Sequence, residues 1–228
     1  MPTGCSEYDA ARLGPEDIEE LLQNEASIYL QQKQWGACQN FVPDQSIIFE
    51  NIPPDTVEQL HEYRHLGRLK TYYPNLQKLI IRMVSREHNE TVQTFGNYLI
   101  IQLNSMKPEL AFKLTNFGTS TVQGSDREEG PDASYLPRQL PPGRSDKWPS
   151  LVVEVGYSPQ RDAKWWLTES GSDVKIAIAI KVFRSGHRLH FELWKMGGSS
   201  AHPRPLVAQG ATVSHEKYQQ FLVSGDLW

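Results

Sequence analysis

Apolar residues recur at helical spacing through much of the first hundred positions. Ile18, Leu21, Leu22 and Tyr29 share a face behind Pro15 and Glu16, two residues suited to a first turn. Asp55 can cap a second helix carrying Val57, Leu60 and Arg64, and Leu76, Leu79, Ile80 and Met83 predict a third. Ser85 stands where a cap would open a fourth, in which Val92, Phe95, Leu99 and Leu103 repeat at steps of three and four. Gly96 interrupts that pattern.

From about residue 110 the period shortens. Segments 110–115 and 119–123, separated by Asn116-Phe117-Gly118, predict a β-hairpin, because Asn and Gly supply the backbone angles of a tight reversal. A polar loop at 124–130 leads into a further β segment, 132–136. Pro141, Pro142, Gly143 and Pro149 make 138–149 a loop. Then come an apolar run at 151–157, a short helix at 160–169, an apolar run at 174–183 and a segment at 187–195 beyond a Ser185-Gly186 turn. Strand, helix and strand within about thirty residues is the pattern of parallel pairing through a helical crossover. The chain therefore reads as α+β, helices first and a mixed sheet after, with no internal repeat.

Composition supports a packed core. Of the 228 residues 39% are hydrophobic and 22% charged, with six Trp, nine Tyr and eight Phe, unlike the aromatic-poor profile of a disordered chain. No apolar run is long enough to span a bilayer, and the first residues lack the order of a secretory signal. An intracellular protein, cytoplasmic or nuclear and without a membrane partner, is expected. Cys5 and Cys38 are too few for a disulfide framework or a structural zinc site. The net charge of −4 argues against a strongly basic nucleic-acid binder, but its distribution is uneven. Residues 1–30 are acidic, whereas 61–86 carry Arg64, Arg68, Lys70, Lys78, Arg82 and Arg86 among tyrosines. That stretch is either a solvated face or a phosphate-facing surface.

Glu154 stands out as an acid inside the apolar run 151–157. Burial there demands a partner or a cation. Asp132 opens the preceding β segment, and Lys175 lies near the start of the next long one. If 151–157 and 174–182 pair in parallel, Glu154 and Lys175 come to similar heights on one face. Asp, Glu and Lys converging at strand ends could hold a hard divalent cation and steady developing negative charge, which suits phosphodiester hydrolysis. A partly buried Glu–Lys pair with no further role is the plainer reading. His187 and His190, three apart on a strand, face opposite ways, and Trp165 and Trp166 read as core. Gly197-Gly198 has no helix signal behind it and makes no phosphate loop.

Gly-Pro-Asp-Ala-Ser around Asp132, Trp-Pro-Ser-Leu-Val-Val-Glu-Val-Gly-Tyr-Ser around Glu154, Asp-Ala-Lys-Trp-Trp-Leu and Asp-Val-Lys-Ile together resemble fungal members of the PD-(D/E)XK nuclease superfamily. These are similar to the bacterial Uma family of candidate restriction endonucleases. The resemblance covers roughly 86–195 and is specific in 131–176. It implies a restriction-endonuclease-like αβββαβ core with a mixed sheet over 86–228, behind a helical N-terminal extension over 1–85 packed on it. It also implies a nuclease dependent on Mg²⁺ or Mn²⁺, with nucleic acid as partner, DNA first, and it leaves a homodimer open. One β segment too many precedes the helix, which is accommodated if 119–123 and 132–136 belong to one interrupted strand. Asp132, Glu154 and the Val155 carbonyl would hold the metal. The usual Glu-x-Lys lysine is replaced by Gly156, and Lys164 of the following helix is the substitute the Uma-like proteins imply. Lys175 is preferred on geometry. Glu87 and His88 could extend the site, and 64–86 could grip substrate. A catalytically inactive module that keeps the fold for binding nucleic acid or protein is the alternative.

Overall fold

The computed structural model of the chain describes residues 5–36, 45–60, 68–183, 188–199 and 202–214. In chain order the elements are β1 (Cys5–Asp9), α1 (Pro15–Gly36), β2 (Gln45–Glu50), α2 (Pro54–Leu60), β3 (Arg68–Tyr73), β4 (Lys78–Met83), α3 (Arg86–Met106), α4 (Pro108–Phe112), β5 (Leu114–Asn116), β6 (Val122–Gln123), β7 (Glu128–Glu129), β8 (Ala133–Pro137), β9 (Leu151–Gly156), α5 (Gln160–Glu169), β10 (Ile176–Val182), β11 (Arg188–Ser199) and β12 (His202–Ser214). They divide into two compact units, Met1–Arg86 with Ser120–Gly130 and Glu87–Thr119 with Pro131–Trp228. No helix among the described residues is long and apolar enough to cross a membrane.

The first unit corrects the expectation of a helical extension. It is a six-stranded mixed sheet in the order β1-β2-β4-β3-β7-β6. Ile47, Phe49, Leu79 and Ile81 from the strands pack with Ile18 and Leu22 of α1 and Val57 and Leu60 of α2 into one buried cluster. The helix expected over 76–83 is a strand. Lys-Leu-Ile-Ile-Arg-Met satisfies both periods, but its alternation buries Leu79 and Ile81 and leaves Lys78, Ile80 and Arg82 less covered. Pro74–Leu76 forms a single turn of 3-10 helix between β3 and β4, closing a hairpin of the tyrosine-rich segment. Residues 120–130 also join this sheet, with β7 antiparallel to both β3 and β6. At its edge Glu129, fully buried, forms an ion pair with Arg127 at 2.9 Å and accepts from the Thr71 hydroxyl at 2.9 Å, and Arg127 donates to the Tyr73 hydroxyl.

The second unit runs α3, β5, β8, β9, α5, β10, the αβββαβ order, with the short α4 after α3 and β11 and β12 added at the end. Its mixed sheet is ordered β12-β11-β10-β9-β8-β5, with β9 and β10 parallel and the other neighbours antiparallel. The fold is α+β, as expected. The hairpin expected from 110–115 and 119–123 is not formed, because β5 pairs with β8 while β6 belongs to the other sheet. That removes the surplus strand, and 119–123 and 132–136 are not one interrupted strand. The turn chemistry nevertheless holds: the Gly118 N–H donates to Asn116 Oδ1 at 2.8 Å, with Gly118 at φ 65°.

Two devices fix the middle of this sheet. The proline-rich loop is tied down by Arg144, whose Nη2 donates to the carbonyls of Trp148, Pro149 and Asp173 at 3.1, 3.3 and 2.8 Å. Trp148 is thereby set against Trp165 and Trp166 of α5, with all three ring pairs 5.0 to 5.9 Å apart. Tilted and edge-on packing of three indoles buries a large apolar area and anchors α5.

Candidate active site

β8 and β9 pair Ser134 with Val152 and Ala133 with Val153. Just beyond that register the Asp132 N–H donates to the Val153 carbonyl at 3.1 Å. Asp132 Oδ2 in turn accepts from the Val155 N–H, so where β8 begins Asp132 is tied to β9 at the residues on either side of Glu154. Asp132 is 2% exposed and Glu154 1%. Such burial is tolerated only with polar partners.

Each carboxylate has them. Asp132 Oδ2 accepts the Val155 backbone N–H at 2.7 Å, and Oδ1 lies 3.3 Å from Nε2 of the buried His88, near the start of α3. Glu154 Oε1 accepts the indole N–H of Trp166 at 2.7 Å. Further along β8, Tyr135 lies under α3, where a Cβ on Gly96 would come 2.8 Å from its hydroxyl. Burial raises the Tyr135 hydroxyl above its ordinary value and keeps it neutral.

The expected lysines lie elsewhere. The β9–β10 register places Ala179, not Lys175, beside Glu154. Lys175 precedes the strand, where its N–H donates to the Ser150 carbonyl and its exposed ammonium to the Ser172 carbonyl at 2.5 Å. The expectation that Lys175 and Glu154 share a height is thus corrected. Lys164 is exposed on α5 with its ammonium 5.0 Å from the Trp194 ring centroid.

Glu87 lies in the first turn of α3, and its carbonyl takes the Thr91 hydroxyl. Of the basic stretch, Arg64 is outside the described residues, Arg68 and Lys70 are on β3, Arg82 is on β4 and Arg86 opens α3. Lys78 on β4 pairs with Glu50 of β2 at 3.1 Å, so its charge is matched within the sheet. His187 is outside the described residues. Trp165 and Trp166 are core as expected, but a second role for Trp166 was missed: its indole N–H is the donor that a buried Glu154 requires. An indole six residues into a helix that folds back over an acid-bearing strand was the available signal.

The chain is similar to a solved structure. It is the crystal structure of a candidate nuclease belonging to DUF820 from Anabaena variabilis, 12% identical, with a TM-score of 0.38, covering 67% of this chain and 90% of that one. No family model matches the chain, and no curated protein does.

The donor set can be tested against a divalent cation. Among the described residues no three His, Cys, Asp or Glu side chains are grouped to hold an ion by themselves. Two buried carboxylates with a backbone carbonyl nearby fit Mg²⁺ or Mn²⁺, because Mg²⁺ commonly takes one or two carboxylates and completes its shell with water and substrate phosphate oxygens. One ionised carboxylate offers about four acceptor positions, so an N–H donor at each still leaves capacity for a cation.

Proposed function

We propose that the second unit is a divalent-metal-dependent nuclease of the PD-(D/E)XK kind, hydrolysing phosphodiester bonds in nucleic acid, with DNA the first substrate to try. The observation that carries this is the pair Asp132 and Glu154, both buried, with Asp132 bonded to the Val153 carbonyl and the Val155 N–H on either side of Glu154. A buried acid pair costs stability unless something offsets it, and a hard cation between the two does so. Asp132, Glu154 and the Val155 carbonyl would hold the ion, which when bound supplies a more acidic water and stabilises charge on the phosphate. The chain's own contribution is orientation. Trp166 fixes the Glu154 carboxylate through Oε1, while the Val155 amide and His88 fix the two oxygens of Asp132. These contacts are of the kind that tunes metal ligands from outside.

A second reading, an inactive module of the same fold that binds nucleic acid or protein, is favoured by one observation. Both lysines expected to replace that of Glu-x-Lys are exposed and occupied elsewhere. Incubating plasmid DNA and single-stranded RNA with the wild-type chain and with Glu154→Ala, in Mg²⁺ or Mn²⁺ and in EDTA, separates the two. Metal-dependent cutting lost in Glu154→Ala is the expected result, and no cutting of either substrate under any condition supports the inactive module.

A further inference from the structure

The Glu-x-Lys arrangement puts a lysine two residues beyond the acid on the same sheet face, a position held here by Gly156. The neighbouring strand supplies a cation at that place. The parallel register sets Ala179 beside Glu154 and Lys181 beside Gly156. The antiparallel register with β11 continues both rows, placing Glu192 beside Ala179 and His190 beside Lys181.

Side-chain contacts identify the face. Trp166 of α5 bonds Glu154, Lys164 of α5 stands over the Trp194 ring, and Trp194 donates to Glu192 at 3.0 Å. Glu154, Glu192 and Trp194 therefore lie beneath α5, and Lys181 is in step with them by the two-residue period of a strand. Its ammonium is 5.5 Å from the centroid of Phe183, two residues further from Ala179 on the same face, so reaching the acid takes a change of side-chain rotamer. With a strand spacing of about 4.8 Å and a rise of about 3.3 Å per residue, the Lys181 and Glu154 Cα atoms are about 8 Å apart, against about 14 Å for Lys175. A four-carbon stem bridges the first gap and not the second, and Gly156 puts no side chain in the way. His190 is a poorer candidate, because Nδ1 lies 2.8 Å from the Thr212 hydroxyl and Nε2 lies 3.4 Å from Glu192.

We infer that Lys181 is the catalytic lysine of this site, its ammonium reaching over Gly156 to a non-bridging oxygen of the phosphate bound at Asp132 and Glu154. The assignment rests on the nuclease reading. In the hydrolysis a water oxygen bonds to phosphorus and its proton passes to solvent. The bond from phosphorus to the leaving sugar oxygen breaks, and that oxygen keeps the electron pair and takes a proton from solvent. Lys181 stays protonated throughout and acts by charge and hydrogen bonding.

The test compares wild type, Lys181→Met, Lys181→Arg, Lys164→Met and Lys175→Met for DNA cleavage and, separately, for Mn²⁺ affinity by calorimetry without nucleic acid. Lys181→Met is expected to lower kcat by about 100-fold or more with little change in KM, as losing one charge-stabilising donor does, and Lys181→Arg to recover part of it. Removing a positive charge from beside the ion's site should also tighten Mn²⁺ binding by about threefold, allowing for screening. Lys164→Met and Lys175→Met should change neither. Wild-type cleavage retained in Lys181→Met, or a Mn²⁺ affinity that the substitution leaves unmoved, overturns the assignment while the nuclease reading stands. A wild type that neither cuts nor binds Mn²⁺ removes the nuclease reading and this assignment with it.

Discussion

Glu154 and Trp166 form the contact on which the candidate site depends, and a double-mutant cycle measures it. Both side chains are essentially excluded from solvent, and the 2.7 Å bond joins an indole N–H to a carboxylate oxygen. Hydrogen bonds to charged groups contribute about 1.5 to 3 kcal/mol, and a buried donor or acceptor deprived of its partner costs about 1 to 3 kcal/mol. Trp166→Phe in the wild-type background loses the bond and some packing around Trp148 and Trp165. In a Glu154→Leu background the same change removes an indole N–H with no acceptor, so only the packing loss remains. The difference, the coupling energy, should be about 2 kcal/mol, roughly a thirtyfold change in the unfolding equilibrium. Urea unfolding followed by far-ultraviolet circular dichroism is the assay, since it does not depend on the fluorescence of the residue removed. A coupling below about 0.5 kcal/mol, the scatter of independent sites, would refute the claim that Trp166 holds the carboxylate.

Four other outcomes follow from the geometry. Gly96→Ala should destabilise by about 1 to 2 kcal/mol, because its Cβ would meet the rigid Tyr135 hydroxyl at 2.8 Å; adding Tyr135→Phe should relieve the clash and leave the gain of about 1 kcal/mol that Ala has over Gly in a helix, both read from urea midpoints. Glu129→Ala, which strands Arg127 in the interior, should cost about 3 to 5 kcal/mol by thermal unfolding, while replacing both with apolar residues should cost much less. The Tyr8 hydroxyl is pushed up to about 12, first by its hydrogen bond to Glu25 and then by burial. Its neutral form is thus favoured by folding, so this stabilisation is complete below pH 10 and is lost as pH rises from 10 through 12; the urea midpoint should fall more steeply over that interval in wild type than in Tyr8→Phe. Under the nuclease reading, His88→Ala should lower activity about 10- to 100-fold, the usual effect of removing a group that orients a metal ligand, measured as kcat/KM on plasmid DNA.

The segment from β9 through α5 to β10 was legible from sequence because each of its elements obeys one period. The strands are continuous apolar runs, as parallel strands covered on both sides must be, and the helix carries paired tryptophans on its buried side. Glu154 could be singled out for the same reason, as an acid where nothing polar is expected, and Asp132 as the carboxylate that opens the preceding β segment. The first unit was not legible, since Leu76, Leu79, Ile80 and Met83 fit a helix while Leu79 and Ile81 fit a strand, and only tertiary pairing decides between them. The pairing of β7 with β3 is non-local and leaves no trace in nearby spacing. Lys175 was misplaced because residue parity constrains the face and not the height: the register beside Glu154 was set by the length of the α5 crossover, which put Ala179 there.

The proposed function requires Asp132 and Glu154 together to hold one divalent ion. Calorimetric titration of Mn²⁺ into the wild-type chain, Asp132→Asn and Glu154→Gln measures this, with far-ultraviolet circular dichroism confirming that each variant is folded. A single wild-type site that both substitutions abolish is expected, and Mn²⁺ binding of equal strength in all three folded proteins would overturn the proposal.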